Sequence, residues 1–258
     1  MPRSSLLRQT LSDFRRPARW WGLGWLLFGW LLLIFLPGLR LSGPAWLVDW
    51  QGLLAGAETP SSDRLLAGLG LGLLLPIGLG MQAAWWGSQL LTAEREGGTL
   101  GLLLASPMPR SRLYDAKTIA FLFLFMGQCL ALGLVFEIYA ASLGLGIPYG
   151  RMLISTLHAL LLGLIPGGVA VLTSAWSAGR KLAFGWGMLA LLLINLHNLF
   201  ASLFPAQWLA DSSLLQMAAD GGIFRLQPVG WHTLALLVVV LLVLLAARAA
   251  FSTRDLEI

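Results

Sequence analysis

Charged residues are scarce in this sequence. Only 11% of the 258 residues are Asp, Glu, Lys or Arg, whereas 57% are hydrophobic, and the mean hydropathy is +0.78. Soluble domains carry about 25% charged residues, and a chain of this length has too little interior to hide so much apolar surface. The composition therefore excludes a soluble globular protein and predicts an integral membrane protein.

Lysine and cysteine are also rare. The single Cys129 excludes an internal disulfide and gives no information on the redox compartment. Neither of the two lysines, Lys117 and Lys181, lies in a Gly-x-x-x-x-Gly-Lys-Ser/Thr phosphate-binding loop, and no nucleophile motif is present. The sequence therefore predicts no catalytic residues, no cofactor bound by this chain and no ATP hydrolysis by the chain alone.

Long apolar runs are abundant. Six of them approach or exceed the roughly 20 residues that cross a bilayer, and they lack the alternation of barrel strands. The predicted fold class is an all-α integral membrane protein with six transmembrane helices. The runs are Trp20–Pro37, Leu65–Leu91, Thr118–Leu145, Met152–Ala178, Leu182–Phe204 and Thr233–Ala250.

The basic residues set the predicted orientation. If the N-terminus is cytoplasmic, 13 of the 17 Lys and Arg residues fall on cytoplasmic segments, as the positive-inside rule requires. Both termini are therefore predicted to be cytoplasmic, and the positive net charge is not a sign of nucleic-acid binding. The first run is longer than the 7–15 residues of a signal-peptide core, so we expect it to remain as a membrane helix.

The predicted organisation has three parts: residues 1–19, a six-helix transmembrane domain at 20–250 and a cytoplasmic tail at 251–258. In the first part, Leu7, Leu11 and Phe14 share one helical face beside a basic face. This pattern predicts an amphipathic elbow helix in the membrane interface, with a break or kink at Pro17. A simple topology anchor is the alternative.

The longest charged interruption, residues 92–117, lies between the second and third runs. It reads Glu94-Arg95-Glu96-Gly97-Gly98-Thr99, then an apolar stretch, then Ser106-Pro107, and it ends near Lys117. The two glycines permit a sharp turn, Thr99 is a candidate N-cap and Pro107 should end a short apolar helix. A cap at Ser111 is predicted for the helix that follows. A short apolar helix exposed there needs either a groove on a partner or contact with lipid or its own bundle.

This pattern resembles the membrane subunits of type-2 ATP-binding-cassette (ABC) transporters, and the ending Phe251–Leu256 is similar to that of the family. The chain departs from the family at Gly101, where an acidic residue is common, and at Ala116, where Gly is common. The resemblance implies an exporter of the bacterial inner membrane. A short cytoplasmic coupling helix between spans two and three would receive a separate subunit that binds ATP and Mg. A second membrane subunit, identical or different, would complete the pathway. The implied partner-binding residues are Glu94, Glu96, Gly98, Thr99, Leu100, Leu102, Leu103 and Ser106.

Two other functions stay open. An ion-coupled secondary transporter would have internal repeats and several intramembrane carboxylates; only Glu137 fits, and no repeat is visible. A membrane scaffold or assembly protein without transport activity is the other alternative.

Several polar residues fall inside the predicted spans, where burial of charge is costly. Glu137 and His158 lie at similar depths in spans three and four, so they could form a structural pair. Glu137 could instead lie at the outer interface or line a substrate path together with Asn195, His197 and Asn198 of span five. These side chains lack the local spacing of a metal site, so no metal is predicted.

Two further features of the sequence are prolines inside the predicted spans and a long segment between spans five and six. Pro76 and Pro166 predict kinks in spans two and four, and Gly167-Gly168 after Pro166 allows a break that acts as a hinge or as a close-packing site. The outer segment 205–232 is too apolar for a free loop. We expect it to dip into the membrane as short helices.

Overall fold

The computed structural model describes residues 10, 12, 14–15, 17–31, 74–98, 109–142, 151–176, 179–203 and 231–253. Within these ranges the chain is helical apart from short connections, and no strand occurs. The helices are α1 (residues 17–31), α2 (Leu75–Glu96), α3 (Arg110–Ser142), α4 (Arg151–Trp176), α5 (Arg180–Leu203) and α6 (Trp231–Thr253).

Three of the described helices are long and apolar enough to cross a membrane. They are the segments Arg110–Tyr139 of α3, Thr156–Trp176 of α4 and Thr233–Thr253 of α6. The predicted all-helical membrane character is thus confirmed at this coarser level. Membrane crossing by the other three runs stays a prediction. Helical residues lie on both sides of Pro17, and the division of this region into an elbow helix and a first span also stays a prediction.

The described helix ends follow local sequence signals, with one difference from the sequence-based expectations. Pro76 lies beside the first described residues of α2, and the kink predicted there stays a prediction. Ser111 does not cap α3, because the helix already begins at Arg110 and the Arg112 N–H bonds to the Pro109 carbonyl at 2.9 Å.

Helix α4 lies at the centre of the bundle and packs against α2, α3, α5 and α6. Of its most apolar stretch, 78% is buried inside the protein, compared with 39% for α3 and 28% for α6. The exposed side chains of α3 and α6 are mostly large and apolar, such as Phe123 and Leu242. Such surfaces suit contact with lipid.

Small residues allow α2 and α4 to approach closely. A Cβ atom on Gly87 would lie 2.4 Å from the Gly167 carbonyl oxygen, and one on Gly167 would lie 2.8 Å from the Ala83 Cβ. This is the packing that glycine and alanine provide between membrane helices. Helix α4 runs without interruption through Pro166, so the predicted break in span four is not found, and the glycine that follows Pro166 serves close packing.

Candidate functional site: the loop end of the bundle

The residues of the predicted coupling segment connect α2 to α3. We call this side of the bundle the loop end: it contains the ends of α2, α4 and α6 and the beginnings of α3 and α5. Helix α2 stops at Gly97 and Gly98, whose N–H groups bond to the carbonyls of Ala93 and Arg95 at 3.0 and 3.2 Å. Gly98 has φ of +68°, a conformation that favours glycine. The sharp turn predicted at these glycines is confirmed.

Lys117 carries a buried charge at the start of α3. Its residue surface is only 6% exposed, and its Nζ lies 2.5 Å from Glu94 Oε1 and 2.8 Å from the Leu90 carbonyl oxygen. A buried ammonium is tolerated when an opposite charge and hydrogen bonds replace water. Lys117 therefore joins α3 to two acceptor atoms of α2, the Glu94 carboxylate oxygen and the Leu90 carbonyl oxygen.

Glu96 joins α2 to α5. Its Oε1 accepts a hydrogen bond from the backbone N–H of Arg180 at 2.9 Å. Arg180 is the first residue of α5, so this N–H has no acceptor within its own helix. The dipole of α5 also favours a negatively charged carboxylate at its N-terminus.

The Arg180 side chain adds a second contact between α2 and α5. Its guanidinium carbon lies 5.2 Å from the centre of the Trp85 ring of α2, an arrangement in which the cation is attracted by the aromatic face. Backbone and side chain of Arg180 thus both hold α5 against α2.

Asp115 and Arg248 join α3 to α6. The guanidinium donates from Nε and Nη2 to the two carboxylate oxygens at 2.8 and 3.1 Å, which is the strong bidentate form of this pair. The neighbouring Tyr114 hydroxyl donates to the Leu244 carbonyl at 2.9 Å, and its ring packs on Phe251. The loop end is therefore linked from α5 through α2 and α3 to α6.

The structure brings together some of the predicted partner-binding residues and adds others. Glu94 and Glu96 both lie at the loop end, with Lys117 and the Arg180 N–H as their partners, and Gly98 forms the turn. Sequence reasoning treated Lys117 only as part of a motif. Its position at the start of an apolar run was the available signal, since a lysine there needs a partner. The other predicted contacts lie outside the described residues: Thr99, Leu100, Leu102, Leu103 and Ser106.

The predicted intramembrane polar residues lie elsewhere. Glu137 and His158 are both buried, and His158 Nε2 lies 2.7 Å from the hydroxyl of Thr233 on α6. A direct pair between Glu137 and His158 stays a prediction. In α5, Asn195 donates to the Leu191 carbonyl of its own helix at 2.8 Å.

His197 and Asn198 are the other polar residues predicted for α5. His197 is half-buried in α5, and the side chain of Asn198 lies outside the described residues, as does the segment 205–230. Among the residues that the structure describes, no group of three or more His, Cys, Asp or Glu could hold a metal ion.

A neutral hydrogen-bond network inside the helical bundle was not anticipated from the sequence. The Trp25 indole N–H donates to Gln82 Oε1 at 2.7 Å, and Gln82 Nε2 donates to Gln128 Oε1 at 2.8 Å. The network joins α1, α2 and α3, and Gln82 is fully buried. The signal in the sequence was an amide in an apolar run, because such a group requires a partner in lipid.

Two comparisons with known proteins found no match. No known protein-family model matches the chain, and no curated protein matches it. The functional interpretation therefore depends on the pattern of residues 92–117 and on the geometry of the loop end.

Proposed function

We propose that this chain is the membrane-spanning subunit of an ATP-driven ABC transporter, an exporter in the bacterial inner membrane whose two termini are cytoplasmic. Two such subunits, identical or different, form the substrate pathway. A separate subunit binds ATP and Mg and hydrolyses the ATP. The membrane chain itself performs no catalysis and converts movement of its partner into movement of its helices.

The observation that carries the proposal is the segment between Glu94 and Lys117. Its residue pattern is the one that resembles coupling segments, and its two edges are bonded directly to the helices of the bundle. A segment that transmits force needs such bonds, because movement at a free loop would not reach the helices. The absence of a phosphate-binding Gly-x-x-x-x-Gly-Lys-Ser/Thr loop from the sequence supports a separate ATP-binding subunit.

The membrane character of the chain also supports this function. The buried α4 and the lipid-suited surfaces of α3 and α6 fit a helical bundle that lies in a membrane, and the proposal requires these helices to move as rigid bodies.

The test is purification of the tagged full chain from its native membrane, followed by measurement of ATP hydrolysis and of the proteins that elute with it. We expect a stoichiometric ATP-binding subunit, and we expect Leu102→Asp to remove it because the charge disrupts the predicted apolar contact. Leu209→Asp is the matched control, since it makes the same change on the predicted outer side.

Two results would contradict the proposal. Wild-type protein that elutes without ATP hydrolysis and without an ATP-binding subunit would exclude an ABC transporter. Ion-dependent transport that is lost in Glu137→Gln, again without an ATPase, would favour the secondary transporter. Absence of both activities would favour a scaffold.

A further inference from the structure

We infer that Glu94, Glu96 and Lys117 form an internal latch that fixes both edges of the coupling segment to the bundle. Glu94 is then a positioning residue that acts within this subunit, instead of a contact for the ATP-binding partner, and the exposed Glu96 adds a bond to α5. The inference rests on the proposed function and specifies how its coupling segment works. The latch consists of the Glu94–Lys117 ion pair, the Lys117–Leu90 carbonyl bond and the Glu96–Arg180 N–H bond.

The ion pair closes the base of the segment. Glu94 lies in the last turn of α2, near the start of the segment, and Lys117 lies about two turns into α3, at the end of the segment. Since the two charges meet at 2.5 Å, the chain enters and leaves the segment at one point of the bundle. A push on the segment therefore reaches α2 and α3 together.

The second acid extends the latch to another helix. Glu96 is the last residue of α2 and holds the first N–H of α5 at 2.9 Å. The same two turns of α2 are thus bonded to α3 on one side and to α5 on the other. Displacement of the end of α2 shifts three helices as a unit, which is the rigid-body form of coupling.

Burial argues against a role of Glu94 as a contact for the partner. Lys117 is 6% exposed and the Glu94 side chain is 20% exposed, so a second protein has little access to either group. If Glu94 turned outward to bind a partner, it would leave a buried ammonium without its counter-charge, which is strongly unfavourable.

The experiment compares Glu94→Gln and Lys117→Met in the purified complex, with Lys181→Met as the matched control. Lys181 is the other lysine of the chain and is exposed at the start of α5, so its loss removes the same charge without touching the latch. Two quantities are measured: the amount of ATP-binding subunit retained, and the ATP-dependent change in maleimide labelling of a reporter cysteine. The reporter is Ser142→Cys at the exposed end of α3, in a Cys129→Ser background.

Under the latch hypothesis the two variants behave alike. Both retain the ATP-binding subunit, and both reduce the ATP-dependent labelling change about tenfold, the size of effect that a lost buried contact pair commonly produces. The double variant Glu94→Leu with Lys117→Met shows a labelling change no smaller than that of either single variant, because each single change already removes the shared pair. A merely structural role would lower the amount of folded protein without separating partner retention from the labelling response.

The opposite outcomes are distinct. Loss of the ATP-binding subunit in Glu94→Gln but a normal complex in Lys117→Met would overturn the latch and make Glu94 a partner contact. The latch would also be overturned if Glu94→Gln and Lys117→Met both behaved like the control Lys181→Met. If Lys117→Met is not monodisperse, the double variant Glu94→Leu with Lys117→Met decides, because it removes both buried charges: folded protein with a labelling change equal to that of the wild type contradicts the latch. A wild-type preparation with no ATP-binding subunit overturns the proposed function and, with it, the latch hypothesis.

Discussion

The loop end and the bundle interior are held together by different interactions. At the loop end, charged groups join α5 to α2, α2 to α3 and α3 to α6. In the interior, neutral amides and close contacts of glycine join α1 to α2, α2 to α3 and α2 to α4. Charged pairs at the loop end have defined partners and directions, whereas the interior combines neutral amide hydrogen bonds with close, non-directional contacts of small residues. The difference places the attachments that involve charge at the loop end and the tightest helix packing in the interior.

Loss of one charge from the buried pair should have the largest effect on stability. Glu94→Gln leaves the buried Lys117 ammonium without its counter-charge, so we expect destabilisation by about 3 kcal/mol. The measurement is unfolding in detergent by SDS titration, followed by tryptophan fluorescence. The double variant Glu94→Leu with Lys117→Met removes both charges and should recover most of the lost stability. A double variant that is no more stable than the single one would contradict this account of the loop end.

The glycine contacts of the interior should give the next largest effect. Gly87→Ala places a methyl group 2.4 Å from the Gly167 carbonyl oxygen, so α2 and α4 must separate, at an expected loss of about 2 kcal/mol. The matched control is Gly127→Ala in α3, where nothing lies within 4 Å of the added atom. The control should gain about 0.5–1 kcal/mol, because alanine is the better helix former. Equal effects at the two sites, measured by the same unfolding titration, would rule out tight packing of α2 on α4.

The amide network should give the smallest effect of the three. Gln82→Leu leaves the Trp25 indole and the Gln128 amide without the bonds they make to Gln82, and polar bonds between membrane helices contribute about 0.6–1.7 kcal/mol. We expect a loss of about 1 kcal/mol in the unfolding titration. Gln89→Leu, a half-buried glutamine on the same helix, is the control and should be nearly neutral. If Gln82→Leu lost more stability than Glu94→Gln, the interior contacts would contribute more to stability than those of the loop end, which is the reverse of the expected order.

Much of the helical framework was predictable from the sequence. Among the described residues, the apolar runs located α2 to α6 to within about one turn, apart from the first turns of α3, because an apolar run in lipid must satisfy its own backbone as a helix. The predicted start of span two at Leu65 lies outside the described residues. The end of α2 was also predictable, since Gly97-Gly98 supplies the turn. At Pro166 the sequence left a hinge and a close-packing site as alternatives. Helix α4 is continuous there and Gly167 packs against Ala83 of α2, so the close-packing alternative is confirmed.

The candidate site was only partly predictable. The charged segment drew attention to Glu94 and Glu96, but their partners are residues 23 and 84 positions away in the sequence, Lys117 and Arg180. That both acids face another protein was implied by the resemblance to coupling segments, and it stays a prediction. Polarity shows that a group needs a partner, and it does not show whether that partner is water, another protein or the same chain.

The sequence by itself determined that this protein is helical, that it belongs in a membrane and where a charged segment interrupts it. Those properties depend on local composition, because lipid solvation and backbone hydrogen bonding act on each run separately. The tertiary structure alone decided that α4 is central and that Lys117 lies against Glu94 and Leu90. Those pairings arise from the way helices pack side by side, and residues distant in sequence meet only after that packing is complete.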